Sequence, residues 1–76
     1  MKINAKDYKP NEIIKFLRQY TNLTQKEFAK KAKLSKSSIE KYEYGMVNYT
    51  FETLMQIAEL NDLEIIIQSK KKNKHD

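Results

Sequence analysis

The sequence predicts a mainly α domain: four helices, the second and third joined as a helix-turn-helix, then a C-terminal β-strand. Three observations predict it. The stretches "LTQKEF" (23–28), "LSKSSI" (34–39) and "YTFETL" (49–54) share one helix-start plan. Each has a hydroxyl residue at the N-cap, flanked by apolar residues spaced to pack across the first turn. So few residues separate the second and third helices that the two must cross at a large angle, which is helix-turn-helix geometry. Finally, "LEIIIQ" (63–68) is dominated by β-branched residues and has the length of a strand.

The elements follow in order. Pro10 opens the first helix, where its missing N–H costs nothing. Ile13, Ile14, Leu17 and Tyr20 then recur at helical spacing, so this helix runs to about Tyr20. Thr24 caps the second helix, with Glu27 completing a capping box and Leu23 and Phe28 as a hydrophobic staple. That helix ends near Ala32. Ser35 caps the third helix, with Leu34 and Ile39 as its staple, and Gly45, the only glycine, stops it. Thr50 caps the fourth (51–60), where Tyr49 faces Leu54. Phe28, Phe51, Leu54, Met55 and Ile57 are core candidates, while Tyr8, Tyr20 and Tyr49 fit either the core edge or the surface. The strand 63–68 needs a partner, because a lone strand leaves its backbone unpaired. Two partners are open: "KINAKD" (2–7), or the same strand of a second copy, through Leu63, Ile65, Ile66 and Ile67. The expected organisation is one domain over residues 1–69, with the helix-turn-helix unit at about 24–45. Residues 70–76 are expected to be a disordered basic tail.

Composition narrows the function. Seventy-six residues make one small domain with a modest core. There is no cysteine, and the only histidine is His75, so disulfides, thiolate metal sites and histidine metal sites are excluded. No nucleophile–base pair, glycine-rich phosphate loop or metal cluster suggests an enzyme, and no cofactor is expected. No apolar run approaches a membrane span, and the N-terminus lacks the apolar core of a signal peptide, so a cytoplasmic location is expected. The lysine tail carries no second membrane anchor. Net charge is +5 and unevenly spread. Residues 24–44 hold six basic and three acidic groups, whereas 50–69 hold four acidic groups and no base. A basic surface on one side is the footprint of a polyanion binder.

The third helix, within "KLSKSSIEKYEYG" (33–45), gives little to the core. Ile39 and Tyr42 point inward, while Lys36, Ser37, Glu40, Lys41 and Tyr44 share the opposite face. A helix that enters a major groove about 12 Å wide has to be slim at its N-terminal end. Serines and flexible lysines meet that need.

Arg18, "LTQKEFAKKAKLSKSSIEKYEYG" and "TFETLMQIAEL" together resemble the phage-repressor and Cro-like, or Xre-type, helix-turn-helix family. The resemblance spans about two-thirds of the chain. It implies a lambda-repressor-like four-helix fold and a sequence-specific regulator of transcription, bound to double-stranded DNA as a homodimer. It places Lys36, Ser37 and Lys41 at base-reading positions. Glu40 either joins them by accepting from cytosine or pairs with Lys36 one turn away. Gln25 matches the family's phosphate clamp, with Thr24 capping the same turn. Lys26, Tyr44, Asn48 and Thr50 are further phosphate candidates. Arg18 and Glu43 match positions that form an ion pair between the first and third helices. Two departures stand out. Lys33 occupies the turn where the family usually has a left-handed glycine. The strand replaces a fifth helix, which is similar to an antitoxin-like subgroup whose terminal strands pair between subunits. An antitoxin that binds a toxin protein and autoregulates its operon is therefore the second expectation.

Overall fold

The computed structural model describes residues 1–70. Four helices follow a short 3-10 turn at Ala5–Asp7: α1 (Pro10–Thr21), α2 (Gln25–Lys31), α3 (Lys36–Tyr44) and α4 (Phe51–Leu60). Ile14, Leu17, Phe28, Ala29, Ala32, Ile39 and Ile57 form one buried cluster fed by all four helices. Leu23, Leu34, Tyr42, Tyr49, Leu54 and Leu63 pack around it. Among the described residues, no helix is long and apolar enough to cross a membrane.

The capping residues act as their positions suggest. The side chains of Thr24, Ser35 and Thr50 accept from the backbone N–H groups of Glu27, Ser38 and Thr53. The Glu27 carboxylate in turn accepts from the Thr24 N–H at 2.9 Å, and this bond, with one from the Thr24 side chain, holds the carboxyl below the usual carboxylate range. Glu12 does the same for the Lys9 N–H at 2.8 Å.

Helices α2, α3 and α4 end alike. In each, a residue at positive φ is followed by an N–H that reaches back five residues: Leu34 to Ala29, Met46 to Lys41, and Leu63 to Ala58. This is the Schellman turn, and it satisfies carbonyls the helix end leaves bare. At these three ends the left-handed residues are Lys33 (φ 61), Gly45 (φ 75) and Asp62 (φ 59). Only the second is glycine, so Lys33 carries a steric cost of about 1–2 kcal/mol. Replacing Lys33 with glycine removes that cost but gives the unfolded chain about 0.4–1 kcal/mol of extra freedom. The expected net gain is roughly 0.5–1 kcal/mol, a rise of about 3–6 °C in a thermal melt.

Two expectations need correction. Phe51 is not a core residue; it is 59% exposed at the start of α4. Ile57 and Ala58, further along α4, are the residues it buries. The C-terminal strand is also not formed: there is no β-strand among the described residues. Residues 63–69 run on from α4 with neither helix nor ladder. The physical reason lies at the N-terminus. "KINAKD" offers no strand to pair with, because the Asn4 and Ala5 carbonyls accept from Asp7 and Tyr8 within the 3-10 turn. Among the described residues, no ladder joins residues 2–7 to the "LEIIIQ" segment. The basic tail expected at 70–76 lies, but for Lys70, outside the described residues.

Candidate nucleic-acid interface

α3 lies across α1 and α2, with Ile39 fully buried and Tyr42 half-buried beneath it. Lys36, Ser37, Lys41 and Tyr44 stand exposed on the outer face, and Tyr44 is 76% exposed. The side chains expected to read bases thus share one surface that the core does not use. Glu40 is half-buried and sits 3.6 Å from Lys36, the i,i+4 pair that competes with its reading of cytosine. An incoming guanine would have to draw Lys36 away from Glu40.

Beneath the C-terminal end of this surface lies a polar cleft lined by Lys15, Arg18, Gln25, Glu43 and Tyr44. Its floor is an ion pair between α1 and α3. Arg18 Nε donates to Glu43 Oε2 at 2.6 Å and a terminal guanidinium nitrogen donates to Oε1 at 3.0 Å. Arg18 also donates to the Leu23 carbonyl at 3.2 Å, so one side chain ties α1 to α3 and to the α1–α2 loop. Glu43 is 4% exposed, and its hydrogen bonds and charge hold the Arg18 proton more tightly than in a free arginine.

Gln25 completes this network, donating its amide to Glu43 Oε1 at 3.2 Å. An amide has two N–H groups, so one remains for a phosphate. The carboxylate therefore aims the expected clamp. Thr24 uses its oxygen in the cap, and its side chain also bonds the Glu27 carboxylate. Lys26 and Asn48 are both exposed, and the Thr50 hydroxyl donates to Thr53 Oγ1 at 3.0 Å. These residues are spread along the rim of the α3 surface rather than gathered at one point.

Sequence reasoning missed two contributors. Lys15 is an exposed cation in the same cleft, three residues before Arg18 and so on its face of α1, which was the available signal. Gln56 donates to the Ala32 carbonyl at 2.8 Å, fastening α4 to the turn between α2 and α3. Nothing in its local pattern marked it. Tyr49, whose position was ambiguous, donates to the Pro10 carbonyl at 2.6 Å and meets Tyr42 edge-to-face, which anchors the α3–α4 loop to α1. Burial pushes its phenol pKa up. Among the described residues, no group of acidic or histidine side chains is arranged to hold a metal ion.

Comparison with known proteins fits this geometry. A family model described as helix-turn-helix (HTH_3) matches residues 14–66. Two solved structures are similar over nearly the whole chain: one described as "MDT Protein", the other a chain of the HipA-HipB-O2-O3 complex. Each is 28% identical, with a TM-score of 0.65, covering 93% of this chain and 99% of its own. No curated protein matches the chain.

Proposed function

Since the chain belongs to the HTH_3 helix-turn-helix family, a family of DNA-binding regulators, we propose that it is a sequence-specific regulator of transcription, most simply a repressor, acting on double-stranded DNA as a homodimer. The observation that carries this reading is the outer face of α3. It is slim, cationic and unused by the core, and an ion pair and a cap hold it in place. Lys36, Ser37 and Lys41 read base edges in the major groove, with Glu40 available once Lys36 leaves it. Thr24, Gln25, Lys26, Tyr44, Asn48 and Thr50 take phosphates, which fix register without reading sequence. The dimer forms through residues 63–68, whose backbone finds no partner strand among the described residues, and presents two α3 helices to half-sites about one helical turn apart.

The test is fluorescence anisotropy on DNA from upstream of the protein's own gene, over a salt series. Binding is expected to weaken steeply with salt, since phosphate contacts release counterions. Lys41→Ala is expected to cost about 1–3 kcal/mol and to relax preference at one base pair of each half-site. Equal loss on every DNA sequence would make Lys41 a phosphate contact instead. Salt-insensitive or absent binding to all duplexes would sink the whole reading.

A second reading has a specific observation behind it. The similarity to a chain from the HipA-HipB-O2-O3 complex favours an antitoxin that binds a toxin protein and represses its own operon. The acidic segment 50–69 is then the candidate partner surface. Co-purification of a second, unrelated chain from the native host decides for it, and purification of this chain alone decides against.

A further inference from the structure

A surface that meets phosphate is best built of cations and neutral donors, yet the outer face of α3 carries a carboxylate inside its arc. At about 100° per residue, Glu40 falls between Lys36 on one side and Ser37 and Lys41 on the other, with Tyr44 one turn further along. The other carboxylate of α3, Glu43, is turned inward and met by Arg18. Glu40 has no such cover. Its side chain is 40% exposed, and among the described residues Lys36 is the only cation within ion-pair distance of it, at 3.6 Å. The Lys36 side chain is itself 56% exposed. A contact so solvated is weak, so contacts to a base readily replace it. A carboxylate only accepts and an ammonium only donates. The two side chains therefore demand opposite chemistry of whatever they meet.

We propose that Lys36 and Glu40 form one reading unit for a G·C base pair in a fixed orientation, Lys36 donating to guanine O6 and N7 and Glu40 accepting from N4 of the paired cytosine. The proposal rests on the DNA-binding reading above and names a base pair that the site selects. Across its major-groove edge, G·C presents acceptor, acceptor, donor, from guanine N7 and O6 to cytosine N4. A cation beside an anion matches that order and none of the other three. A·T presents acceptor, donor, acceptor, which leaves the lysine a single acceptor and sets thymine O4 beside the carboxylate. C·G, the same pair inverted, puts the N4 donor under Lys36 and both acceptors under Glu40. Inversion is therefore the worst change at this position. A lysine alone tolerates it, because its flexible stem swings to the guanine on the other strand. The carboxylate one turn away removes that freedom, so Glu40 selects by rejection as much as by attraction. The spacing suits the task. Side chains at i and i+4 have Cβ atoms about 5–6 Å apart, less than two base-pair steps of about 3.4 Å.

The test is selection of the full chain's binding site from a randomised duplex library, followed by anisotropy on every single-pair variant of that site. The parent is expected to select G·C at one position of each half-site, with inversion to C·G the costliest change there, at least about tenfold in affinity. Glu40→Gln is expected to cut that inversion penalty several-fold, since an amide both donates and accepts. Lys36→Met is expected to erase the preference. Adding Glu40→Gln to Lys36→Met is expected to change discrimination no further, because the two side chains act as one unit. Neither side chain belongs to the buried cluster, so these variants keep the fold. Uniformly tighter binding of Glu40→Gln to every duplex, with the inversion penalty unchanged, makes Glu40 a bystander charge and overturns the unit while DNA binding stands. A selected site in which no G·C position responds to residue 40 does the same. Absence of binding to any duplex overturns the DNA-binding reading itself, and the unit with it.

Discussion

Replacing Glu43 with alanine is expected to lower the melting temperature by more than about 12 °C, while leaving sequence preference intact in whatever remains folded. The carboxylate is buried and takes two bonds from Arg18 and one from Gln25. Removing it strands a guanidinium that is itself only 21% exposed. Breaking one half of such a pair costs about 3–5 kcal/mol. A domain of this size holds roughly 4–11 kcal/mol in all, and each kilocalorie moves the midpoint by about 4–8 °C. Helix polarity adds to the argument. Glu43 sits in the last turn of α3, where the helix end is negative and a carboxylate is unwelcome. Arg18 makes that position tolerable. Hence the double change Arg18→Met with Glu43→Leu is expected to recover much of the loss, since well-packed apolar pairs often replace buried ion pairs without penalty. The checks are thermal melts by circular dichroism, with anisotropy on a panel of single-base operator variants. A Glu43→Ala protein that melts like the parent but prefers a different base would show that Glu43 acts on DNA and not on the fold.

Ser37→Glu is expected to separate binding from stability in the opposite direction. Residue 37 lies in the first turn of α3, exposed and outside the core. A carboxylate there complements the positive helix end and adds about 0.3–1 kcal/mol of stability. On the face proposed to enter the groove, the same charge meets phosphate and the acceptor-rich edges of guanine, at a penalty of several kcal/mol. The melt is expected to hold or rise by a few degrees while affinity falls at least a hundredfold. If affinity for operator DNA is unchanged, α3 does not enter the groove.

The helix starts were legible because their signals are local. Thr24, Ser35 and Thr50 bond groups three residues away, so sequence order alone places them. The ends were legible only in part. Gly45 announces its left-handed turn, but Lys33 stands out only against a pattern in which glycine is usual, and Asp62 carries no signal at all. In each case a following apolar residue, Leu34 or Leu63, anchors the turn through the core, and tertiary packing overrides local preference. Phe51 was misplaced for a related reason. Its position one residue after a cap fits an apolar stripe, but the first turn of α4 extends past the core. The isoleucine-rich segment has the composition of a strand, and composition reports what a chain suits, not whether a neighbour is present. At the site, the residues of α3 were legible because they share a face. The Gln25–Glu43 bond was not, since it joins residues eighteen apart through the crossing of two helices.

From residue 42 to residue 69 the chain has no lysine or arginine, so every cation of the folded domain before Lys70 belongs to the N-terminal arm, α1, α2, the turn or α3 as far as Lys41. Such a molecule behaves in a polyanion's field as a compass needle. Long-range attraction turns the domain before it touches, so the fraction of collisions that begin with α3 toward the duplex exceeds what random tumbling would supply. Added salt then slows the search as well as loosening the grip, because it blurs the torque along with the attraction.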